Sequence, residues 1–191
     1  GDMLYLPPKY AHEGVAEGEC MTWSMGFRAP KEGELARELL LGLADEAFDG
    51  VGDAIYRDPK QGAMSSPAAI PQSLAGFARQ VVDKALQNPE LLDNLLGEYL
   101  TEPKANVWFE DAALAPDLSV GLRLDRRSKM MYDDKHVFIN GEGFKVGGRD
   151  AVVLRQLADE RVISPQKIKV LSADAKEALL DWAGAGWLKT L

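Results

Sequence analysis

Gly1-Asp2-Met3-Leu4-Tyr5-Leu6-Pro7-Pro8-Lys9-Tyr10-Ala11-His12 is the stretch whose reading decides the fold. A glycine-aspartate turn leads into a short apolar strand, Met3 to Leu6, with Leu4 and Leu6 on one face and Tyr5 on the other. Pro7-Pro8 stops the strand, because proline has no N–H to give to a ladder. His12 follows a few residues on. Such a layout holds one imidazole stiffly at the mouth of a β-barrel.

A second strand is expected over Cys20-Met21-Thr22-Trp23-Ser24-Met25-Gly26-Phe27-Arg28. Met21, Trp23, Met25 and Phe27 face one way, and Cys20, Thr22, Ser24 and Gly26 the other. Four small residues in register leave room for a ligand beside them, or mark the solvent side of the strand. The pattern alone fits both. Ala29-Pro30 ends the sheet region.

From residue 31 to about 101 the period changes to that of helices. Leu35, Ala36, Leu39, Leu40, Leu43, Ala44 and Ala47 form a broad apolar face on a helix from about Glu32 to Phe48. A Gly-, Pro-, Ser- and Asp-rich loop, Asp49 to Pro71, follows, with Tyr56-Arg57-Asp58-Pro59 as an internal anchor. Leu74, Phe77, Ala78, Val81, Val82, Ala85 and Leu86 define a second helix. Asn88 as N-cap and Pro89 at the first helical position open a third, which carries Leu91, Leu92, Leu95, Leu96, Tyr99 and Leu100. Glu102 to Pro116 reads as a linker anchored by Val107, Trp108 and Phe109.

The remainder, residues 117–191, reads as a small α+β domain. Val120, Leu122 and Leu124 alternate as a strand, and Asn140-Gly141-Glu142-Gly143 between two apolar runs signals a hairpin. A helix from about Arg149 to Asp159, a short one at Ser164-Pro165 and a third capped by Ser172 follow, with Gly184 ending the last. With a terminal strand, this order matches a winged helix. Its last helix, Ser172 to Trp182, holds Asp174, Glu177 and Asp181 against Lys176, and a helix of that charge repels phosphate. Protein contact rather than nucleic-acid binding is the expectation, with Trp182 and Trp187 partly buried.

The whole chain points the same way: 22 basic residues face 30 acidic ones, a formal net charge of -8, which favours a basic partner. The densest basic cluster, Arg123, Arg126, Arg127 and Lys129, is broken by Asp125 and reads as a solvated hairpin. Apolar residues make up 46% and charged residues 27%, a balance that supports packed domains over disorder. No apolar run approaches the roughly 20 residues of a membrane span, and no basic-then-apolar leader is evident, so a cytoplasmic setting is expected. Cys20 has no partner cysteine for an internal disulfide.

Of the two histidines, His136 at the start of a hairpin strand reads as structural. No His-x-Asp or His-x-Glu pair, phosphate loop or Ser-His-Asp set occurs in these residues. His12, in its Gly-Asp turn, strand and proline setting, is the candidate metal ligand. Glu13 beside it points away on an extended chain.

The stretches Gly1-Asp2 through Pro7-Pro8, His12-Glu13-Gly14, Ser24 through Pro30, Tyr56 with Asp58-Pro59, Gly97-Glu98 and Asn140-Gly141-Glu142 together resemble one family. It is the JmjC-type, cupin-fold ribosomal oxygenases, and among them the bacterial ribosomal-protein arginine hydroxylases. The resemblance implies an α+β chain in three parts: residues 1–30 as C-terminal strands of a JmjC/cupin barrel, 31–102 as a helical dimerisation region, and 117–191 as a winged-helix-like domain. It further implies a cytoplasmic homodimeric dioxygenase using Fe(II) and 2-oxoglutarate to hydroxylate a basic ribosomal protein, on an arginine side chain by the nearest resemblance. The family's relatives include histidine hydroxylases, so the target side chain stays open between the two. His12 would be the second metal histidine and Ser24 would line the cosubstrate or substrate pocket. The family's first histidine, its aspartate ligand and the basic residue gripping 2-oxoglutarate are absent here. The same resemblance places them upstream of residue 1 and makes this chain the C-terminal part of the enzyme. The other reading is a non-catalytic dimerisation and protein-interaction module in which His12 is structural.

Overall fold

The computed structural model describes residues 2–7, 9–26, 29–63, 65–112 and 116–191. It divides into two units, Gly1–Lys31 and Glu32–Leu191.

In the first unit the described residues form no strand. The alternation expected over Met3 to Leu6 and Cys20 to Gly26 is present in sequence, but both faces are solvent-exposed, Leu4 at 80% and Trp23 at 85%. Gly1, Pro8, Phe27 and Arg28 lie outside the described residues. The difference has a physical reason. A strand closes its backbone hydrogen bonds only on a neighbour, and these segments have none here, so their polar backbone is left to water.

The second unit begins with three helices: α1 (Glu32–Val51), α2 (Gln72–Leu86) and α3 (Pro89–Thr101). Asn88 caps α3, its Oδ1 accepting from the Leu91 N–H at 3.2 Å, with Pro89 in the first turn. Tyr56 anchors the long loop between α1 and α2 by a ring contact with Phe77 at 5.5 Å and a 2.6 Å hydrogen bond to Ser73. In α1 Leu43 is buried, and α2 buries none of its residues.

Two antiparallel three-stranded sheets follow. One is ordered β5-β1-β6, from β1 (Leu122–Leu124), β5 (Val162–Ile163) and β6 (Leu188–Thr190). The other is ordered β2-β3-β4, from β2 (Met130–Tyr132), β3 (His136–Ile139) and β4 (Glu142–Lys145). Asn140 and Gly141 join β3 to β4 with φ of 50° and 93°, the left-handed pair that a two-residue hairpin turn requires. Three helices complete the fold: α4 (Gly148–Glu160), α5 (Pro165–Lys169) and α6 (Ala173–Gly184). Ser164 and Ser172 cap α5 and α6.

Leu122, Val137, Ile139, Leu157, Ile163 and Leu179 are shut off from solvent at the centre of the core. Trp182 is buried deeper than expected and meets Phe144 edge-on at 5.0 Å, while Trp187 is half-buried and packs on Phe109. The linker before β1 is a strap. The Ala112 N–H donates to the Gly184 carbonyl at 2.7 Å, and Arg127 stacks on Phe109 while donating to the Trp108 carbonyl at 3.0 Å. Trp108 lends its backbone; its side chain is 69% exposed.

The basic cluster at 123–129 was expected to be a solvated hairpin, but it is partly structural. Arg127 pairs with the buried Asp125, and Lys129 Nζ donates to the Glu102 carbonyl at 2.6 Å. Arg161, itself at φ 60°, donates from Nη2 to the carbonyls of Asp125 and Ser128 and pins the turn between β1 and β2.

α3 lies on β3 through Gly97. A Cβ built there runs into Cε1, Cε2 and Cζ of the Phe138 ring. Gly97→Ala gains about 1 kcal/mol of helix propensity but overpacks a ring contact, which costs about 1–3 kcal/mol. The expected net result is a lower melting temperature. Gly76→Ala, in α2 with nothing within 4 Å of its Cβ position, is expected to raise it. Thermal melts of both variants check the pair, and a rise for Gly97→Ala would refute the close-contact account.

Candidate functional site

The residues singled out for chemistry near the start of the chain are His12 and Ser24. His12 is exposed, and its Nδ1 lies 3.3 Å from the Tyr10 carbonyl. That short-range contact follows a local turn in which the Tyr10 N–H donates to the Pro7 carbonyl at 3.3 Å and Lys9 adopts φ 69°. Ser24 is exposed, as are its expected face-mates Cys20, Thr22 and Gly26. Among the described residues no three His, Cys, Asp or Glu side chains gather as a metal-holding group. A facial Fe(II) centre takes two imidazoles and a carboxylate. The described residues of this chain do not assemble such a centre; His12 is one candidate ligand standing without the others.

The second unit holds a cleft of about 380 Å³ between α3 and the turn joining β2 to β3. α3 contributes Glu90, Asp93, Leu96, Gly97 and Leu100, and the hairpin side contributes Met131 through His136 and Phe138. His136 is its most enclosed polar group, with a side chain 8% exposed.

Asp133 builds the turn. Its Oδ1 accepts from the backbone N–H groups of Lys135 and His136, each at 2.6 Å, and Oδ2 sits 3.2 Å from His136 Nδ1. Burial pushes the Asp133 carboxyl up, but those two N–H groups and the imidazole outweigh it and hold the group below the usual carboxylate range. Glu90 takes Lys145 at 2.9 Å and Lys135 at 3.6 Å, and both lysines lower its pKa, the Lys145 hydrogen bond most. Glu90 Oε1 also lies 3.9 Å from His136 Nε2, beyond hydrogen-bond range.

His136 was read from sequence as structural. The structure adds two carboxylates beside it. Asp133 was missed although its Asp-x-x-His spacing could have signalled it, whereas Glu90 arrives on a distant helix and only the fold brings it in.

Two family models match the chain. Residues 84–189 match the family model described as ROXA-like winged helix, and residues 1–35 match the JmjC domain. The ribosomal protein uL16 3-hydroxylase of Escherichia coli (strain K12) is 34% identical over 54% of this chain and 27% of its own length. A probable ribosomal oxygenase of Haemophilus influenzae is 22% identical over 98% of this chain and 53% of its own. A crystal structure of the Escherichia coli ribosomal oxygenase YcfD superposes with a TM-score of 0.66 at 19% identity, covering 86% of this chain and 47% of that one. The structure of YcfD with cobalt and 2-oxoglutarate gives 0.63 at 20% identity, covering 85% and 47%. The chain thus spans between about a quarter and a half of the length of these relatives. The likeness to the solved structures establishes the mixed helix-and-sheet fold. More than half of the sequence falls within the first of the two family models, and the chain belongs to the ROXA-like winged helix family.

Proposed function

We propose that this chain is part of an Fe(II)- and 2-oxoglutarate-dependent oxygenase that hydroxylates a basic ribosomal protein, with arginine as the target side chain. The observation that carries the reading is the co-occurrence, in one chain and in this order, of a JmjC match at residues 1–35 and a ROXA-like winged helix at 84–189. The relative named for uL16 3-hydroxylation and the YcfD structure with cobalt and 2-oxoglutarate support the substrate class and the cosubstrate.

In this reading residues 1–30 are barrel strands that gain their ladder partners from JmjC sequence outside this chain. His12 supplies one imidazole to Fe(II), and Ser24 lines the pocket of cosubstrate or substrate. The metal and 2-oxoglutarate bring the O₂-dependent chemistry; this chain's share is to aim one nitrogen and to shape one wall. Among the described residues no helix is long and apolar enough to cross a membrane, which agrees with the proposed cytoplasmic setting. The test is a protein carrying the rest of the JmjC sequence, incubated with Fe(II), 2-oxoglutarate and ribosomal protein. Consumption of 2-oxoglutarate with gain of one oxygen on an arginine supports the reading. Gain on a different side chain corrects the target, and no consumption rejects the oxygenase.

The winged helix serves protein contact here rather than DNA. Asp174, Glu177 and Asp181 of α6 are exposed, and the face they form repels phosphate.

The helical region is proposed to form a homodimer. Leu40, Phe48 and Val82 are 56%, 73% and 58% exposed, and Leu74 and Leu86 are also uncovered. Helices with this much open apolar surface mark an interface. Light scattering at micromolar concentration is expected to give twice the chain mass, and Phe48→Glu with Val82→Glu is expected to return a monomer. A wild-type monomer would sink the proposal.

A further inference from the structure

The cleft between α3 and the β2–β3 turn carries an inference independent of the oxygenase reading, since all of its residues lie in the second unit. Its floor is apolar, made by Leu96, Leu100 and Phe138, and its size suits one or two side chains. Met131 and Tyr132, both partly open to solvent, extend that floor outward along β2.

The rim is acidic, and its charges are not all satisfied. Glu90 is held by Lys145 and Lys135, and Asp133 is engaged by His136 and two backbone N–H groups. Asp93 and Asp134 remain, both exposed, and among the described residues neither carboxylate makes a hydrogen bond or ion pair. His136 lines the cleft as its most enclosed polar side chain, with Nδ1 engaged by Asp133 at 3.2 Å and Nε2 3.9 Å from Glu90. The cleft therefore offers two exposed carboxylates without partners, Asp93 and Asp134, set over an apolar floor, while Lys135 is turned to Glu90. A guanidinium, with five N–H donors and no acceptor, is the complementary group.

We propose that this cleft docks an extended cationic peptide segment, placing an arginine side chain against Asp93 and Asp134 and a neighbouring apolar side chain on Leu96, Leu100 and Phe138. A phosphate-bearing ligand is opposed by the unpaired carboxylates Asp93 and Asp134, and a bare cation leaves the apolar floor uncovered.

The test uses the chain as it stands and a dye-labelled, acetylated and amidated peptide of alternating arginine and leucine, followed by fluorescence anisotropy. Saturable binding is expected, weakened at least about tenfold by Asp93→Lys with Asp134→Lys. Both positions are exposed, so unchanged thermal melts confirm that the variant is folded. A companion peptide with glycine for leucine is expected to bind more weakly, and one with glutamate for arginine not to bind. In the arginine–leucine complex the His136 ring signals should shift in nuclear magnetic resonance spectra. Absence of saturable binding, equal binding by the charge-reversed variant, or equal binding of the glycine peptide would each overturn the proposal. So would peptide-induced shifts confined to α1 and α2, or a cleft covered by a second copy of the chain. The oxygenase reading survives any of these outcomes, because its own test reads 2-oxoglutarate consumption.

Discussion

His12→Ala, made in a protein that carries the remaining JmjC sequence, is expected to abolish 2-oxoglutarate turnover, while in the chain as it stands the same change is expected to leave thermal stability unchanged. The two halves of that expectation rest on different observations. A facial Fe(II) centre built from two imidazoles and one carboxylate has no spare ligand, so loss of one imidazole removes the metal or its geometry. On the stability side His12 has little to lose in this chain: it is exposed and, among the described residues, bonds only within its own turn, to the Tyr10 carbonyl. An exposed substitution of this kind changes stability by about 0.5 kcal/mol or less. Undiminished turnover would remove His12 from the site, and a collapse of the melting temperature would make it structural. The chain as it stands, with one imidazole, is expected to bind Fe(II) weakly or not at all, which calorimetry with the metal alone checks.

Asp125→Ala is expected to lower the stability of the second unit by about 2–3 kcal/mol, because it removes a buried carboxylate and leaves the donors of Arg127 and Lys189 unpaired. The Asp125 side chain is 7% exposed. Its Oδ1 accepts from Arg127 Nε and from the Arg127 N–H, both at 2.9 Å, and Lys189 Nζ stands 2.8 Å from Oδ2. The two cations lie partly in water, which keeps the figure below that of a fully buried pair.

The same carboxylate sets a pH dependence. Arg127 holds the Asp125 carboxyl well below the usual carboxylate range, against the opposing effect of burial and with help from Lys189. A group depressed in the folded state stabilises above its unfolded pKa, near 3.8 for Asp, and that contribution fades as pH falls below it toward the folded value. The difference in melting temperature between wild type and Asp125→Ala should therefore be full at about pH 7 and shrink below about pH 4. A difference that grows on acidification would assign the stabilisation to another group.

Much of the second unit was legible because its signals are local. Asn88, Ser164 and Ser172 cap helices through side chains that reach N–H groups three residues on, and Asn140-Gly141 makes a turn by its own backbone preference. β2 was missed because three residues, Met130 to Tyr132, carry no turn chemistry and become a strand only by pairing with β3. The role of Asp125 was hidden in the same way. Between arginines it looks solvated, and only the arrival of Lys189 on β6 and the burial around it make it an anchor.

Residues 1–31 show the opposite limit. Their alternating pattern was clear, yet alternation states which faces a strand would have, not that a neighbour exists to complete it. His12 stood out through the motif around it, since one exposed imidazole has no geometry of its own to announce a metal. The cleft combined both cases, with Asp133 and His136 close in sequence and Glu90 delivered by α3.

The far end of α3 has a mechanical consequence. Thr101 is fully buried, and its hydroxyl donates to the Gly97 carbonyl at 2.8 Å while accepting the Gly141 N–H at 3.1 Å. Lys129 grips the adjacent Glu102 carbonyl from the other side. A helix fastened to a hairpin tip at one end and seated on Phe138 through a missing side chain at its middle works as a rigid lever. At that end α3 and the β3–β4 turn are therefore one piece, tied through the Thr101–Gly141 bond and the Lys129–Glu102 bond.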